Sequence, residues 1–284
     1  MARIAVLGAR GFVGAALTHA LRDAGHEVTA VTRSTYADDQ RAGPYDVLVN
    51  AACPSRRYWA EHNPADDHKE TVRKTEELLR GWGWVSFVQI SSMSARVQTD
   101  TVYGRNRALA EQACESAGAL IVRLGPMYGS GLEKGSLIDM LHHRPVYASG
   151  DSLQSFAPVE WCAKWVADHL DQQGVWEIGA RTTIALREIR DAIGSRSDFA
   201  ADRRDDQFPA LNIAEPDWPV AADVVPWLRA KLTGGSAAGE ESTTCGPTAG
   251  SGSARWWPPR ASPSSRLRTY GQAGASGSGG SGSG

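Results

Sequence analysis

The chain opens Met1-Ala2-Arg3-Ile4-Ala5-Val6-Leu7-Gly8-Ala9-Arg10-Gly11-Phe12-Val13-Gly14, and the reading of these residues decides the fold. Arg3 to Leu7 is a short apolar run closed by glycine, the pattern of a fully buried parallel strand. Val13, Leu17, Ala20 and Leu21 then recur at helical spacing. Gly8, Gly11 and Gly14 therefore occupy a turn between a strand and a helix. A turn without Cβ atoms lets the backbone approach a pyrophosphate, and the helix that follows aims its N–H groups and positive dipole end at the anion. Thirty glycines occur in the chain, so the triplet alone says little. Its place between a strand and an amphipathic helix is what signals a dinucleotide site.

The 284 residues are 42% apolar and 22% charged, with a formal net charge of −2. That is a globular composition without a basic field for nucleic acid. No apolar run approaches the ~20 residues of a membrane span, and the first residues read as a strand, not a signal peptide. Cys53, Cys114, Cys162 and Cys245 form no Cys-x-x-Cys pair. Reduced thiols of a cytoplasmic protein are expected, with no zinc site or disulfide frame. From Thr233 onward Gly, Ser, Ala, Pro and Thr dominate and periodicity is lost. Residues 233–284 are expected to be a disordered tail, a linker or read-through segment in which Trp256 and Trp257 are the exceptions.

A second strand is expected over Glu27 to Thr32, ending at Arg33-Ser34. In a dinucleotide fold that position faces the adenosine ribose, and an acidic residue there selects NAD. Arg33 and Ser34 suit a 2′-phosphate instead, and Arg10 in the glycine turn can reach the same group. NADP (as NADPH) is the expected cofactor, with NAD disfavoured. The dozen residues before the next strand, Tyr45 to Asn50, are too few for a usual crossover, so one peripheral strand-helix unit is expected to be reduced to a loop. Asn50-Ala51-Ala52 places small residues at a strand C-terminus, where open α/β sheets bind ligands. A charged helix is expected from Asn63 to Gly81, with Pro64 in its first turn. Val85 to Ile90 reads as a buried strand running into Ser91-Ser92. Tyr103-Gly-Arg-Asn-Arg107 opens a helix through Glu115, and Leu120 to Leu124 is a strand closed by the loop Gly125-Pro-Met127-Tyr-Gly129. Phe156 leads into a helix through Leu170, whose Trp161, Trp165 and Val166 read as core. Further helices are expected over Thr183 to Ile193 and Val224 to Leu232.

Five motifs stand in order over about the first 130 residues: Gly8-x-x-Gly11-x-x-Gly14, Asn50-Ala51-Ala52, Ser91-Ser92, Tyr103-x-x-x-Arg107 and Arg123-Leu-Gly-Pro-Met-Tyr-Gly129. In them the chain resembles the extended short-chain dehydrogenase/reductase family, the group of sugar-nucleotide epimerases, dehydratases and reductases. The resemblance implies an α/β fold, a Rossmann-type doubly wound parallel sheet with a small C-terminal substrate domain. The NADP-binding domain would take residues 1–130 with about 151–176, and the substrate region about 131–150 and 177–232. The cofactor residues it implies are Gly8, Arg10, Gly11, Phe12, Val13, Gly14, Arg33, Ser34, Asn50, Ala51, Ala52, Ser91, Tyr103, Arg107, Gly125 and Met127.

In that family a Ser, a Tyr and a Lys four residues after the Tyr carry the chemistry. Matched residue by residue, these are Ser92, Tyr103 and, in place of the lysine, Arg107. A free phenol, with a pKa near ~10, is a poor acid–base group at neutral pH, and a neighbouring cation stabilises its anion. The serine would hold the substrate oxygen. Tyr103 and Arg107 stand at i and i+4, on one helical face. Arginine supplies charge and a fork for ribose hydroxyls but cannot relay a proton, so a proton path would run through ribose hydroxyl and water. Met93-Ser94 stand where related 4,6-dehydratases carry an Asp-Glu pair, which disfavours dehydration. Arg57, Tyr58 and Ser130 are expected at the substrate by position. His142-His143 has no third ligand at metal spacing, so no metal is expected.

The function expected on this basis is NADP-dependent reduction of a keto group on a sugar nucleotide or related biosynthetic intermediate, with Tyr103 as the acid. A redox-neutral epimerase of the same family is one alternative. A dinucleotide-binding or sensor protein without turnover is another, and Arg107 is its support. A small-molecule substrate, no nucleic-acid or membrane partner, and a homodimer through the helices around 63–81 and 103–116 complete the expectation.

Overall fold

The structure, a computed structural model, describes residues 1–210 and 215–234. Its first strand, β1 (Arg3–Leu7), buries Ile4, Ala5, Val6 and Leu7, as a strand covered on both faces must. Chain order then gives α1 (Phe12–Asp23), β2 (Glu27–Val31), α2 (Tyr36–Arg41) and β3 (Tyr45–Asn50), followed by α3 (Arg57–His62), α4 (Pro64–His68) and α5 (Lys74–Gly81). Next come β4 (Trp84–Ser92), α6 (Ser94–Val97), α7 (Val102–Ser116) and β5 (Leu120–Leu124). The remainder comprises β6 (Met127–Tyr128), α8 (Ser136–Leu141), β7 (Leu153–Gln154), β8 (Ala157–Pro158), α9 (Val159–Asp168), β9 (Gly174–Ile178), β10 (Ile184–Ala185), α10 (Leu186–Ala192) and α11 (Val224–Gly234).

Six of these strands form one parallel sheet in the order β2-β1-β3-β4-β5-β9. The chain steps from β1 to one side and returns to the other, which is the doubly wound arrangement expected. Strand ends are aligned: Leu7 pairs with both Val31 and Asn50, and Asn50 with Gln89. The reversal between β1 and β3 opens a crevice beyond their C-terminal ends, where such sheets bind ligands.

The period of two along each strand divides the core. Ile4, Val6, Val49, Val88, Ile90 and Val122 pack on one face with Leu17 and Leu21 of α1 and Cys162, Trp165 and Val166 of α9. Ala5, Leu7, Leu48, Phe87 and Ile121 pack on the other with Leu78, Trp82 and Cys114. Trp161 is partly buried against the first of these clusters. A third cluster, with Leu137, Met140, Phe156, Leu186, Ile189, Val224 and Leu228, joins α8, α10 and α11.

Five segments differ from the sequence reading. The loop expected before β3 contains α2, six residues that bury none of their side chains, so no apolar period marks it. The path from Pro64 to Gly81 is helical throughout but widens to a π-helical turn over Lys69–Arg73, where Thr71 and Val72 are buried. The loop after β5 carries the two-residue strand β6, paired in parallel with β8. Thr183 to Ile193 begins as β10 before α10. The last helix runs to Gly234, into the first two residues of the tail expected to be disordered. Residues 235–284, with Cys245, Trp256 and Trp257, lie outside the described residues. Among the described residues no helix is long and apolar enough to cross a membrane, and Cys53, Cys114 and Cys162 are free thiols.

Candidate functional site

The glycine turn is held by close backbone approach. Gly8 has φ +75°, and a Cβ there would lie 2.6 Å from the Ala51 carbonyl oxygen. A Cβ on Gly14 would lie 2.1 Å from the Gly8 carbonyl oxygen. Only glycine lets the end of β1, the end of β3 and the start of α1 meet this closely. No side chain caps α1, so its first-turn N–H groups are left for another partner. Gly11, Phe12, Val13 and Gly14 line a cleft of ≈ 1570 Å³.

Around that cleft the structure brings together most of the residues singled out in the sequence. Gly8, Arg10, Arg33, Ser34, Ala51, Ala52, Ser91, Ser92, Tyr103, Arg107, Gly125, Met127 and Arg57 all line it. Arg10 and Arg33 are exposed and make no hydrogen bond or ion pair within the described residues.

Three expected residues are not in the wall. Asn50 is 1% exposed. Its amide donates to Gln89 Oε1 at 2.9 Å and Thr75 Oγ1 at 3.2 Å, and its Oδ1 accepts from the Ala52 N–H at 3.2 Å. A polar side chain at the end of a strand buried on both faces needs such partners, and Asn50 ties the strand end down from below. Tyr58 is 79% exposed, with its ring on His62, because Ala60 takes the buried side of α3. Ser130 is exposed, and its N–H donates to Glu160 Oε1 at 3.2 Å. The following stretch, Gly131 to Leu137, supplies the wall instead.

Tyr103 is fixed by the start of α7. Thr101 Oγ1 accepts the Gly104 N–H at 3.0 Å and caps the helix. A Cβ on Gly104 would lie 2.1 Å from the Gln98 carbonyl oxygen, so the turn from α6 presses directly on the helix. The Tyr103 ring is 7% exposed, with the Arg107 guanidinium carbon 4.9 Å and that of Arg57 5.9 Å from its centroid. Arg107 is buried, its Nη2 donates to the Pro54 carbonyl at 2.5 Å, and its Nε has no partner. Burial works to lower the Arg107 pKa, but Tyr103, Cys53 and Asp67 beside it more than offset this and hold it above the ordinary arginine range. The position therefore carries a permanent charge. Ser91 donates its hydroxyl to Glu111, which is paired with Arg123 at 2.7 Å. Ser92 Oγ accepts the Ser94 N–H at 3.3 Å.

Two cleft-lining positions carry no signal that sequence reasoning used. Asp205 comes from a segment without periodicity and forms an ion pair with Arg57. Lys134 lies in a loop between Gly131 and Gly135, and its Nζ donates to the Ser55 carbonyl at 2.9 Å. The glycine flanks mark a loop but not its destination.

These residues fit a bound dinucleotide. An uncapped helix start suits its pyrophosphate, and two partnerless arginines suit a further phosphate. The sequence pattern of the NAD dependent epimerase/dehydratase family matches residues 4–144. Over those residues the chain carries that family's pattern. It is thereby of the NAD(P)-dependent short-chain dehydrogenase/reductase type, which holds both oxidoreductases and epimerases.

Solved structures agree on the fold. UDP-glucose 4-epimerase of Thermotoga maritima, with UDP-glucose, is 13% identical at a TM-score of 0.65, over 83% of this chain and 99% of that one. The dTDP-4-dehydrorhamnose reductase of Bacillus anthracis, in complex with NADP, is 13% identical at a TM-score of 0.63, over 82% and 99%. MoeE5, in complex with UDP-glucose and NAD, is 16% identical at a TM-score of 0.63, over 83% and 100%. No curated protein matches the sequence.

Proposed function

We propose that this protein is an NADP-dependent reductase of a keto group on a sugar nucleotide or a comparable biosynthetic intermediate. The observation that carries the reading is the joint presence of Tyr103 and Arg107 in the wall of the cleft that opens at the uncapped start of α1. The glycine turn and the first turn of α1 would hold the pyrophosphate. Arg10, Arg33 and Ser34 would take the 2′-phosphate, which supports NADP over NAD and disfavours the epimerase alternative. Residues 131–150 and 177–232 form the substrate region in this reading, and a cytoplasmic homodimer is its setting.

When bound, the reduced nicotinamide supplies a hydride to the carbonyl carbon. Ser92 donates a hydrogen bond to the carbonyl oxygen. Tyr103 gives that oxygen its phenolic proton as negative charge develops there. Arg107 stands as a fixed charge beside the phenolate, buried where screening is weak. It gives up no proton, so Tyr103 recovers its own from water in the cleft.

Consumption of NADPH over a panel of keto sugar nucleotides tests the reading. Tyr103→Phe is expected to lower the rate by about 10²–10⁴-fold while leaving NADPH binding in place. Equal or absent rates in both proteins, with NADPH bound, would favour a dinucleotide-binding protein without turnover. The buried Arg107, unable to relay a proton, supports that second reading.

A further inference from the structure

We propose that Arg56 and Lys134 form a diphosphate-binding jaw on the rim of the cleft. Lys134 lies on the loop that follows β6, in which Gly129, Gly131 and Gly135 have φ of 143°, 82° and 100°. These left-handed positions let the loop turn sharply and cross to the segment after β3. There the Lys134 ammonium donates to the carbonyl and the hydroxyl of Ser55, at 2.9 and 3.2 Å. Arg56 is the next residue, and all three line the cleft.

The charges are unbalanced. Neither Arg56 nor Lys134 has an ion-pair partner within the described residues. Of the acids lining the cleft near them, Asp139 is engaged with Arg144 at 3.2 Å and Asp205 with Arg57, which leaves the exposed Glu133, next to Lys134 in the chain, against two cations. Burial and the Arg56 charge push the Lys134 amine below the ordinary lysine range, so the two cations oppose each other as the protein stands. An anion between them would relieve both the repulsion and the partial desolvation.

The loop also passes over the dinucleotide turn, since a Cβ on Gly131 would lie 3.9 Å from the Phe12 ring at the start of α1. Two cations at one rim, beside a helix start without a cap, fit a group with two adjacent phosphates. A diphosphate can come from the dinucleotide or from a nucleoside-diphosphate substrate. The second source rests on the reductase reading given above.

Calorimetric binding of NADPH and, separately, of uridine diphosphate separates the sources, with wild type compared to Lys134→Met, Lys134→Arg and Arg56→Gln. Both positions are exposed, Lys134 in a loop and Arg56 at a helix end, and equal melting temperatures establish equal folding. Lys134→Met and Arg56→Gln are expected to weaken at least one of the two ligands about tenfold or more, with Lys134→Arg close to wild type. Loss in the NADPH arm assigns the jaw to the cofactor, and loss in the uridine diphosphate arm to the substrate. Unchanged constants in both arms, or no binding of either ligand by wild type, overturn the jaw. Binding is read without turnover. Variant-sensitive binding with no turnover would sink the reductase and leave the jaw, and normal turnover with unchanged constants would do the reverse.

Discussion

Arg57, at the start of α3, forms an ion pair with Asp205, 148 residues further along the chain, and this contact lies in the cleft wall beside Tyr103. The Asp205 carboxylate also accepts from Gln98 Nε2 at 2.7 Å and Gln207 Nε2 at 2.8 Å. Arg57 is 43% exposed, so the ion pair itself contributes little, about 1 kcal/mol or less. The two amides are the larger stake. Asp205→Ala leaves both without an acceptor and is expected to destabilise the protein by about 1–3 kcal/mol. Asp205→Asn keeps an acceptor oxygen and should lose about 1 kcal/mol or less. Urea unfolding of the two variants checks the ordering, and equal losses would contradict it.

Gly14 has the least room of the three opening glycines. A Cβ there would meet the Gly8 carbonyl oxygen at 2.1 Å, whereas on Gly11 the same oxygen would be 3.3 Å away. Backbone must move in the first case and only a few tenths of an ångström are needed in the second. Gly14→Ala is expected to lose about 1–3 kcal/mol of stability and most of the NADPH affinity. Gly11→Ala should keep the fold. Thermal melting with and without NADPH distinguishes them.

Arg33 is exposed at the end of β2 and has no protein partner. Its removal therefore leaves no group unsatisfied in the protein. Arg33→Ala is expected to weaken NADPH by about 10–100-fold, the worth of a charge-assisted hydrogen bond, and to leave NADH unchanged. A parallel fall for both cofactors would place Arg33 away from the 2′-phosphate.

The three thiols of the described residues differ in access. Cys162 is buried, and burial pushes its pKa up to about 12. Burial likewise raises Cys114. Cys53 lines the cleft and accepts a hydrogen bond from Gln89 Nε2 at 3.4 Å. The thiolate is the reactive form, so a raised pKa leaves Cys114 and Cys162 silent near neutral pH. Mass spectrometry after brief alkylation is expected to find label on Cys53 before either of them, with bound NADPH slowing it.

What could be read from sequence follows the range of the interaction concerned. The glycine turn was legible because its demands are local: strand, turn and helix lie within 21 residues, and each leaves a period or a missing Cβ. The strands were legible because burial on both faces leaves continuous apolar runs. α2 left no trace because it buries nothing. Asn50 was placed among cofactor residues by its position at a strand end, but its partners, Thr75 and Gln89, are 25 and 39 residues away. The cleft partners of Asp205 and Lys134, Arg57 and Ser55, are 148 and 79 residues away, and no local pattern encodes those contacts.

Arg107 stands where the resemblance implies a lysine, which makes the reverse substitution informative. The arginine is buried, tied to the Pro54 carbonyl and charged at any accessible pH. It cannot return a proton to Tyr103, whereas a lysine amine can. Arg107→Lys keeps the charge that faces Tyr103 and Asp67, loses the fork, and gains a proton that the side chain can give up. If proton return limits turnover, its rate of NADPH oxidation should rise, by about tenfold against the 10²–10⁴ that acid–base catalysis commonly contributes. Arg107→Met removes the charge and leaves the partly desolvated Asp67 carboxylate, already raised by burial, without its cation. That variant should be slower than wild type and less stable. Solvent deuterium slows a step limited by proton return, so the isotope effect on turnover should be larger in wild type than in Arg107→Lys. A lysine variant no faster than wild type, with no change in isotope effect, would mean that Tyr103 draws its proton from water without help from position 107.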